Sequence, residues 1–181
     1  YNAWYGCYCP NCKTRYEAKT GRACPDWPKS VGPMERLDAT WLKMRADAIT
    51  TVVKRTIEEV RKVRPDIEFS AAVFPAADEH VYHAQEWRTW CREGILDFVC
   101  PMSYCRDREE LRMQIVPMIH TASESPKTRI YPSVGVSFSG AKRTVKTAEE
   151  VRDHASIIRW AGFPGMCYYI LDSKTKAALA K

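Results

Sequence analysis

The sequence lacks any uninterrupted apolar run of the ~18–20 residues that a membrane-spanning helix needs, and it therefore predicts no membrane span. It also lacks an initial methionine and a charged-then-apolar leader, so the start at Tyr1 is expected to be processed or excised. The 28 basic and 22 acidic side chains are interspersed, and no base-reading motif is present. The net charge of +6 is therefore typical of a solvated surface, and no nucleic-acid partner is expected.

Two short apolar runs organise the chain, which at 181 residues can bury a single core. Residues 67–75 and 95–102 are rich in β-branched and aromatic residues, and a proline ends each of them. Both are typical of buried strands, and the polar segment between them is long enough for a helix. A helix between two strands predicts that the strands pair in parallel.

The same alternation continues along the chain and predicts an α/β fold. The predicted helices cover residues 13–20, 38–63, 82–92, 108–122 and 147–160, and the predicted strands cover residues 67–74, 95–100, 129–136 and 165–171. Four helix-strand units at this spacing are half of a (β/α)8 barrel of the TIM type. An isolated four-stranded parallel sheet is the alternative, but it would expose two long apolar edges.

Residues 1–40 are irregular and rich in cysteine, proline and glycine. We interpret them as a cysteine-rich loop that decorates a barrel half formed by residues 41–181. Polar side chains follow the ends of the predicted strands: Asp78 and Glu79 after the first, Tyr104 after the second and Asp172 after the last. Chemistry in parallel α/β proteins collects at this edge of the sheet, so these are the candidate site residues.

Four segments occur in an order that resembles a known family. They are CYCPNCKTRYE at residues 7–17, FSAAVF at 69–74, QEW at 85–87 and LDFVCPMSY at 96–104. Together they resemble the family-10-like glycosyl hydrolases, which are bacterial and often exported or cell-surface barrel proteins. The resemblance implies that the chain supplies strands five to eight of the barrel. It also implies that the cysteine-rich loop follows strand four, whose Asp-Tyr-Ile-Arg motif would lie upstream of Tyr1.

The chain departs from this family at two positions. Relatives often have Gln-Asp-Trp where this sequence has Glu86, and they often have Asp where it has Ser103. The second departure removes a carboxylate from the mouth of the second predicted strand.

Glycoside hydrolysis needs two carboxyl groups on either side of the scissile bond, ~5–9.5 Å apart, and no catalytic cofactor. We therefore predict a hydrolase of polysaccharides or oligosaccharides, with catalytic residues among Asp78, Glu79 and Asp172, and we expect this half of the barrel to be inactive on its own. The alternative for Asp78 and Glu79 is that they begin the next helix, where acidic side chains favour the N-terminal dipole.

Substrate-binding residues are predicted from the same loops: Tyr104, Glu86, Trp87 and His80. Glu86 could bind sugar hydroxyl groups and Trp87 could stack on a sugar ring, but both could equally pack an outer helix against the sheet. Asp78, His80 and His83 could instead serve a metal-dependent hydrolase. A carbohydrate-binding barrel without catalysis is the non-enzymatic alternative.

The eight cysteines fall into two groups. Cys7, Cys9, Cys12 and Cys24 could bind a structural zinc ion as thiolates. If the protein is exported, the same four could form two disulfides. The other cysteines lie in apolar contexts and are interpreted as small buried hydrophobic residues: Cys91, Cys100, Cys105 and Cys167.

Overall fold

The computed structural model of the chain describes residues 6–31, 38–76, 82–138, 144–170 and 176. The helices are α1 (Pro10–Thr20), α2 (Ala39–Val63), α3 (Trp87–Arg92), α4 (Arg108–Ser123) and α5 (Ala148–Trp160). The strands are β1 (Ser70–Val73), β2 (Phe98–Pro101), β3 (Arg129–Ile130), β4 (Ser133–Gly135), β5 (Ser137–Phe138), β6 (Thr144–Val145) and β7 (Cys167–Tyr169). Helices and strands alternate, so the described chain is α/β. None of the described helices combines the length and apolar character that a bilayer crossing requires.

The chain divides into two units. The first comprises residues 1–65 and 77–86, and α1 packs against α2 within it. Its core is aromatic: Trp41 is buried and its ring lies 5.1 Å from that of Trp27, at a nearly perpendicular angle. Asp38 caps α2 by accepting a hydrogen bond from the Trp41 backbone N–H at 2.8 Å.

The second unit comprises residues 66–76 and 87–181 and contains the strands. β1, β2 and β3 form one parallel sheet, and β4 and β7 pair in parallel in a second. The predicted parallel pairing is therefore confirmed. A further pair, β5 and β6, is antiparallel and was not predicted. The sheets are small, and those of the described residues do not close into a barrel.

The third predicted strand, residues 129–136, is divided at Pro132. The Tyr131 N–H donates to the Val99 carbonyl at 2.9 Å, whereas the Pro132 carbonyl accepts from the Cys167 N–H at 3.1 Å. Successive residues of a strand direct their backbone N–H and C=O groups to opposite sides, so Tyr131 faces β2 and Pro132 faces β7, where proline has no N–H to donate. As a result, β3 pairs with β2 and β4 pairs with β7.

The predicted helix over residues 82–92 is too long. Ala84 has a positive φ of 56°, which no right-handed helix accommodates, and α3 begins only at Trp87. The strands β1, β2 and β7 are likewise shorter than predicted, whereas α2, α4 and α5 match their predicted bounds to within one residue. Val73, Val99 and Val134, which lie on β1, β2 and β4, are fully buried.

The N-terminus of α5 is a complete capping box. The Thr147 hydroxyl accepts from the Glu150 N–H at 3.2 Å, and the Glu150 carboxylate accepts from the Thr147 N–H at 2.7 Å. We expect Thr147→Ala to lower the free energy of unfolding by ~1 kcal/mol, because the Glu150 N–H loses its acceptor. Thr147→Ser keeps the hydroxyl, so its free energy of unfolding should be close to that of the wild type. Urea unfolding of the three proteins measures the difference, and equal stabilities would contradict it.

The same contact predicts a dependence of stability on pH. The hydrogen bond from the Thr147 N–H lowers the pKa of Glu150 from its ordinary value. The folded protein therefore binds this proton less tightly than the unfolded chain does. The stabilisation is fully present above the ordinary glutamate pKa and is lost as the pH falls through the lowered folded value. Glu150→Gln should weaken this acid dependence in urea unfolding, and an unchanged dependence would exclude Glu150 as a source.

Candidate functional site

Four predicted site residues lie outside the described residues: Asp78, Glu79, His80 and Asp172. Their roles remain predictions from their positions in the chain. Asp78 and Glu79 follow β1 and Asp172 follows β7. His83, from the alternative metal site, is half-buried.

Tyr104 lies beyond the end of β2, and its ring stacks on Tyr169, the last residue of β7. The ring centroids are 4.8 Å apart and the planes are inclined by 18°. Burial, with a smaller contribution from the neighbouring Tyr169, raises the pKa of Tyr104 above its ordinary value. Its phenol is therefore a neutral hydrogen-bonding group at neutral pH, and the carboxyl ends of two separate strands meet at one aromatic pair.

A cysteine pair on the same two strands accompanies the tyrosine pair. Cys100 Sγ on β2 lies 3.5 Å from Cys167 Sγ on β7. Burial, followed by the contact with Cys167, raises the pKa of Cys100 to about 12. The two strands do not pair with each other: the segment of β3 and β4 runs between them. Strands two positions apart are separated by ~9.5 Å along a flat sheet, so side chains that meet across this gap indicate a concave face.

Two buried polar side chains lie at the loop after β2. Ser103 is fully buried, and its Oγ has no hydrogen-bond partner within the part of the chain that the structure describes. Lys146 is also buried, and its ammonium donates to the Arg106 carbonyl at 2.5 Å. Burial lowers the pKa of Lys146. Lys146 therefore ties the loop that carries Tyr104 to the segment before α5.

Trp87 is part of the core. Its side chain is fully buried, its indole N–H donates to the Phe74 carbonyl at 2.9 Å, and the Arg88 guanidinium lies 4.5 Å from its ring centre. No face of the indole is open to a sugar ring, because both faces and the edge are enclosed. The packing alternative therefore describes Trp87, and sugar stacking by this residue does not fit the structure.

Glu86 is half-buried, and its carboxylate lies 3.8 Å from the Lys43 ammonium of α2. Lys43 also pairs with Asp47 one turn along the same helix. The carboxylate is therefore in an ion-pair network on the first unit, and its predicted contact with sugar hydroxyl groups stays a prediction.

Three of the N-terminal cysteines form a cluster. The sulfur atoms of Cys7, Cys9 and Cys12 all lie within 4.8 Å of one another, and Cys9 Sγ is 3.7 Å from Cys12 Sγ. Cys9 is the N-cap of α1, and Pro10 occupies the first helical position. A hydrogen bond from the Cys12 backbone, with others from Cys7 and Cys12 side chains, lowers the pKa of Cys9 to about 7. Burial raises the pKa of Cys12 to about 12.

Cys24 does not belong to this cluster, although the sequence predicted that it would. Its side chain is buried in the aromatic core of the first unit, and its Sγ lies 2.7 Å from Ser30 Oγ. The prediction that Cys7, Cys9 and Cys12 are close together is confirmed, and the inclusion of Cys24 is wrong. The intervening residues of α1 and the loop that follows direct Cys24 inward, because this core takes a small apolar side chain there.

The contacts of Cys100 with Cys167 and of Tyr104 with Tyr169 at the strand ends were not predicted from the sequence. A family model described as Glycosyl hydrolase-like 10 matches residues 6–155 of the chain. The match includes the cysteine cluster, β1, β2 and the loop that carries Tyr104. A search of curated proteins finds no match.

Proposed function

Because the chain belongs to the glycosyl hydrolase-like 10 family, we propose that it binds a polysaccharide or oligosaccharide and hydrolyses its glycosidic bonds. The observation that carries the proposal is the stacked pair of Tyr104 and Tyr169 at the carboxyl ends of β2 and β7. Aromatic rings with a polar tip can pack on the apolar face of a sugar while the phenol binds its hydroxyl groups. An exported or cell-surface location would bring such a site to its substrate.

We propose further that these strands belong to a (β/α)8 barrel of which this chain supplies half. Two observations support it: the order β1, β2, β3 with β4, then β7, is that of consecutive barrel strands, and Cys100 meets Cys167 across a concave face. In such a barrel the substrate lies over the carboxyl ends of the strands. Tyr104 and Tyr169 both lie there.

The chemistry is assigned to the acidic residues that follow the strands. One carboxylic acid protonates the leaving oxygen, and one carboxylate attacks the sugar or activates water, depending on their separation. By position in the chain, Asp78 and Glu79 after β1 and Asp172 after β7 are the candidates. A further carboxylate can come from strand four, upstream of Tyr1, as the family resemblance implies. Neither step requires a metal or an organic cofactor.

The aromatic pair gives a direct test of substrate binding. Tyr169→Ala should weaken oligosaccharide binding ~2- to 10-fold, because one aromatic contact is worth ~0.5–1.5 kcal/mol. Tyr168→Ala is the matched control, since successive side chains of a strand point to opposite faces and Tyr168 lies away from Tyr104. Isothermal titration calorimetry compares the two variants. Equal affinities, or a larger loss for Tyr168→Ala, would remove the pair from the binding site.

A carbohydrate-binding protein without catalysis is the second candidate. Ser103 favours it, because the loop after β2 carries a buried hydroxyl where the family resemblance leads us to expect a carboxylate. Binding without turnover on a panel of polysaccharides would support this candidate, whereas release of reducing ends would exclude it.

A further inference from the structure

We propose that Cys7, Cys9 and Cys12 bind one soft divalent metal ion, with Zn²⁺ as the best fit, through three thiolates and without Cys24. The site would join the segment before α1 to the first turn of that helix. It is separate from the proposed carbohydrate site and does not depend on the proposed activity.

The distances between the sulfur atoms match a metal-thiolate site. Zinc binds thiolates at ~2.3 Å in a tetrahedron, which places neighbouring sulfur atoms ~3.8 Å apart. Cys9 Sγ and Cys12 Sγ are 3.7 Å apart, and Cys7 Sγ lies within 4.8 Å of both. A disulfide would require ~2.05 Å between two sulfur atoms and would leave the third cysteine without a partner.

The local sequence builds this arrangement. Cys9 precedes Pro10, which fixes the first helical position of α1, so Cys12 lies in the first turn directly beside Cys9. The backbone of residues 9–12 is closed by the bond from the Cys12 N–H to the Cys9 carbonyl at 3.0 Å. Two cysteines are therefore held by helix geometry, and Cys7 is too near in sequence to lie far from them.

Two arginines lie around the cluster and provide compensating charge. A divalent ion with three thiolates carries one net negative charge. Cys7 and Cys12 line a largely apolar cavity of about 190 Å³ together with Arg15 and Arg45. Arg45 is half-buried, and Gly6 approaches it so closely that an added Cβ would lie 3.1 Å from its Nε. Two cationic side chains that line the same cavity as Cys7 and Cys12 favour an anionic complex over three neutral thiols.

The cavity also explains why three thiolates suffice. Cys24 is committed to the core and to its contact with Ser30, so the fourth tetrahedral position is left for water on the cavity side. Binding exchanges up to three thiol protons for one ion: three metal-sulfur bonds form, and the protons pass to the buffer. The ion does not change oxidation state, so no oxidant or reductant is required.

The test measures metal content and affinity in the intact protein, purified in reducing buffer without added metal. We expect about one zinc per chain by elemental analysis. After removal of the metal, titration with Zn²⁺ alone should show an affinity that Cys9→Ser lowers at least ~100-fold, more than the loss of an outer-shell partner. Cys24→Ser is the matched control and should bind as the wild type does.

The following outcomes would overturn the proposal. If Cys24→Ser loses zinc as Cys9→Ser does while circular dichroism shows it folded, the site has four thiolates. If Cys24→Ser does not fold, titration of the wild-type protein with Co²⁺ decides, because the thiolate-to-cobalt absorption per ion rises with the number of sulfur ligands. Absorption typical of four ligands, or peptide masses that show Cys7, Cys9 or Cys12 in disulfides, would contradict a three-thiolate site. None of these measurements depends on glycosidase activity, so they test the metal site separately from the proposed function.

Discussion

Replacing Asp78 with Asn or Glu79 with Gln is expected to lower the rate of glycoside hydrolysis by ~10²–10⁴-fold in whichever variant removes the general acid or base. The reason is that an amide of the same shape can neither donate the proton that the leaving oxygen needs nor act as a charged base. Reducing-end release from a panel of polysaccharides, measured on the intact barrel with strand four included, gives the rate. Affinity for the preferred polysaccharide should change far less than the rate.

Glu58→Gln serves as the control, because it makes the same chemical change at an exposed residue within α2. Its rate should equal that of the wild type. If both Asp78→Asn and Glu79→Gln keep full turnover and bind substrate normally, the loop after β1 does not carry the catalytic residues. The family membership would stand, and the catalytic assignment would move to Asp172 and to strand four.

Trp87→Ala is expected to lower the free energy of unfolding by ~3–5 kcal/mol. The indole is fully buried and donates to the Phe74 carbonyl, so its removal leaves a cavity in the second unit and takes away that hydrogen bond. Trp160→Ala is the matched control, because Trp160 is 87% exposed at the end of α5 and should change stability by no more than ~0.5 kcal/mol. Chemical denaturation followed by circular dichroism measures both.

The same pair of variants decides between packing and sugar stacking for Trp87. A stacking residue would lose affinity for carbohydrate with little change in stability, which is the reverse of the expectation from burial. A Trp87→Phe variant that retains most of the volume should recover part of the stability. Loss of binding in a Trp87→Ala protein of wild-type stability would contradict the packing role.

Local signals in the sequence predicted the helices well. Asp38 and Thr147 are N-caps, and Pro65 follows α2, so the ends of α2 and α5 are determined by residues adjacent to them. The end of the predicted helix 82–92 was also correct, but its start was not, because nothing in the neighbouring residues indicates the positive φ of Ala84. The division of residues 129–136 at Pro132 depends on which strand lies on each side, and that is a tertiary property.

In the candidate site, too, contacts between residues close in sequence were predictable, and contacts that depend on tertiary structure were not. Cys7, Cys9 and Cys12 are so close in sequence that their proximity was predictable, whereas the place of Cys24 depends on how the loop after α1 packs into the aromatic core. Cys100 and Cys167 are separated by 67 residues and meet only because the sheets curve. The spacing of the two cysteines along the chain does not predict that curvature. Tyr169 was missed for the same reason, although Tyr104 was predicted from its position after a strand.

The most direct test of the account is to locate bound carbohydrate on the intact protein by nuclear magnetic resonance, with the tyrosine rings isotopically labelled. Tyr104→Phe and Tyr169→Phe assign the two ring signals, and a soluble oligosaccharide selected from the binding panel is titrated. We predict that the signals of Tyr104 and Tyr169 shift together and saturate with one affinity, while that of the buried Tyr16 does not move. Saturable binding that leaves Tyr104 and Tyr169 unchanged, or no binding of any oligosaccharide in the panel, would contradict a carbohydrate site at the carboxyl ends of these strands.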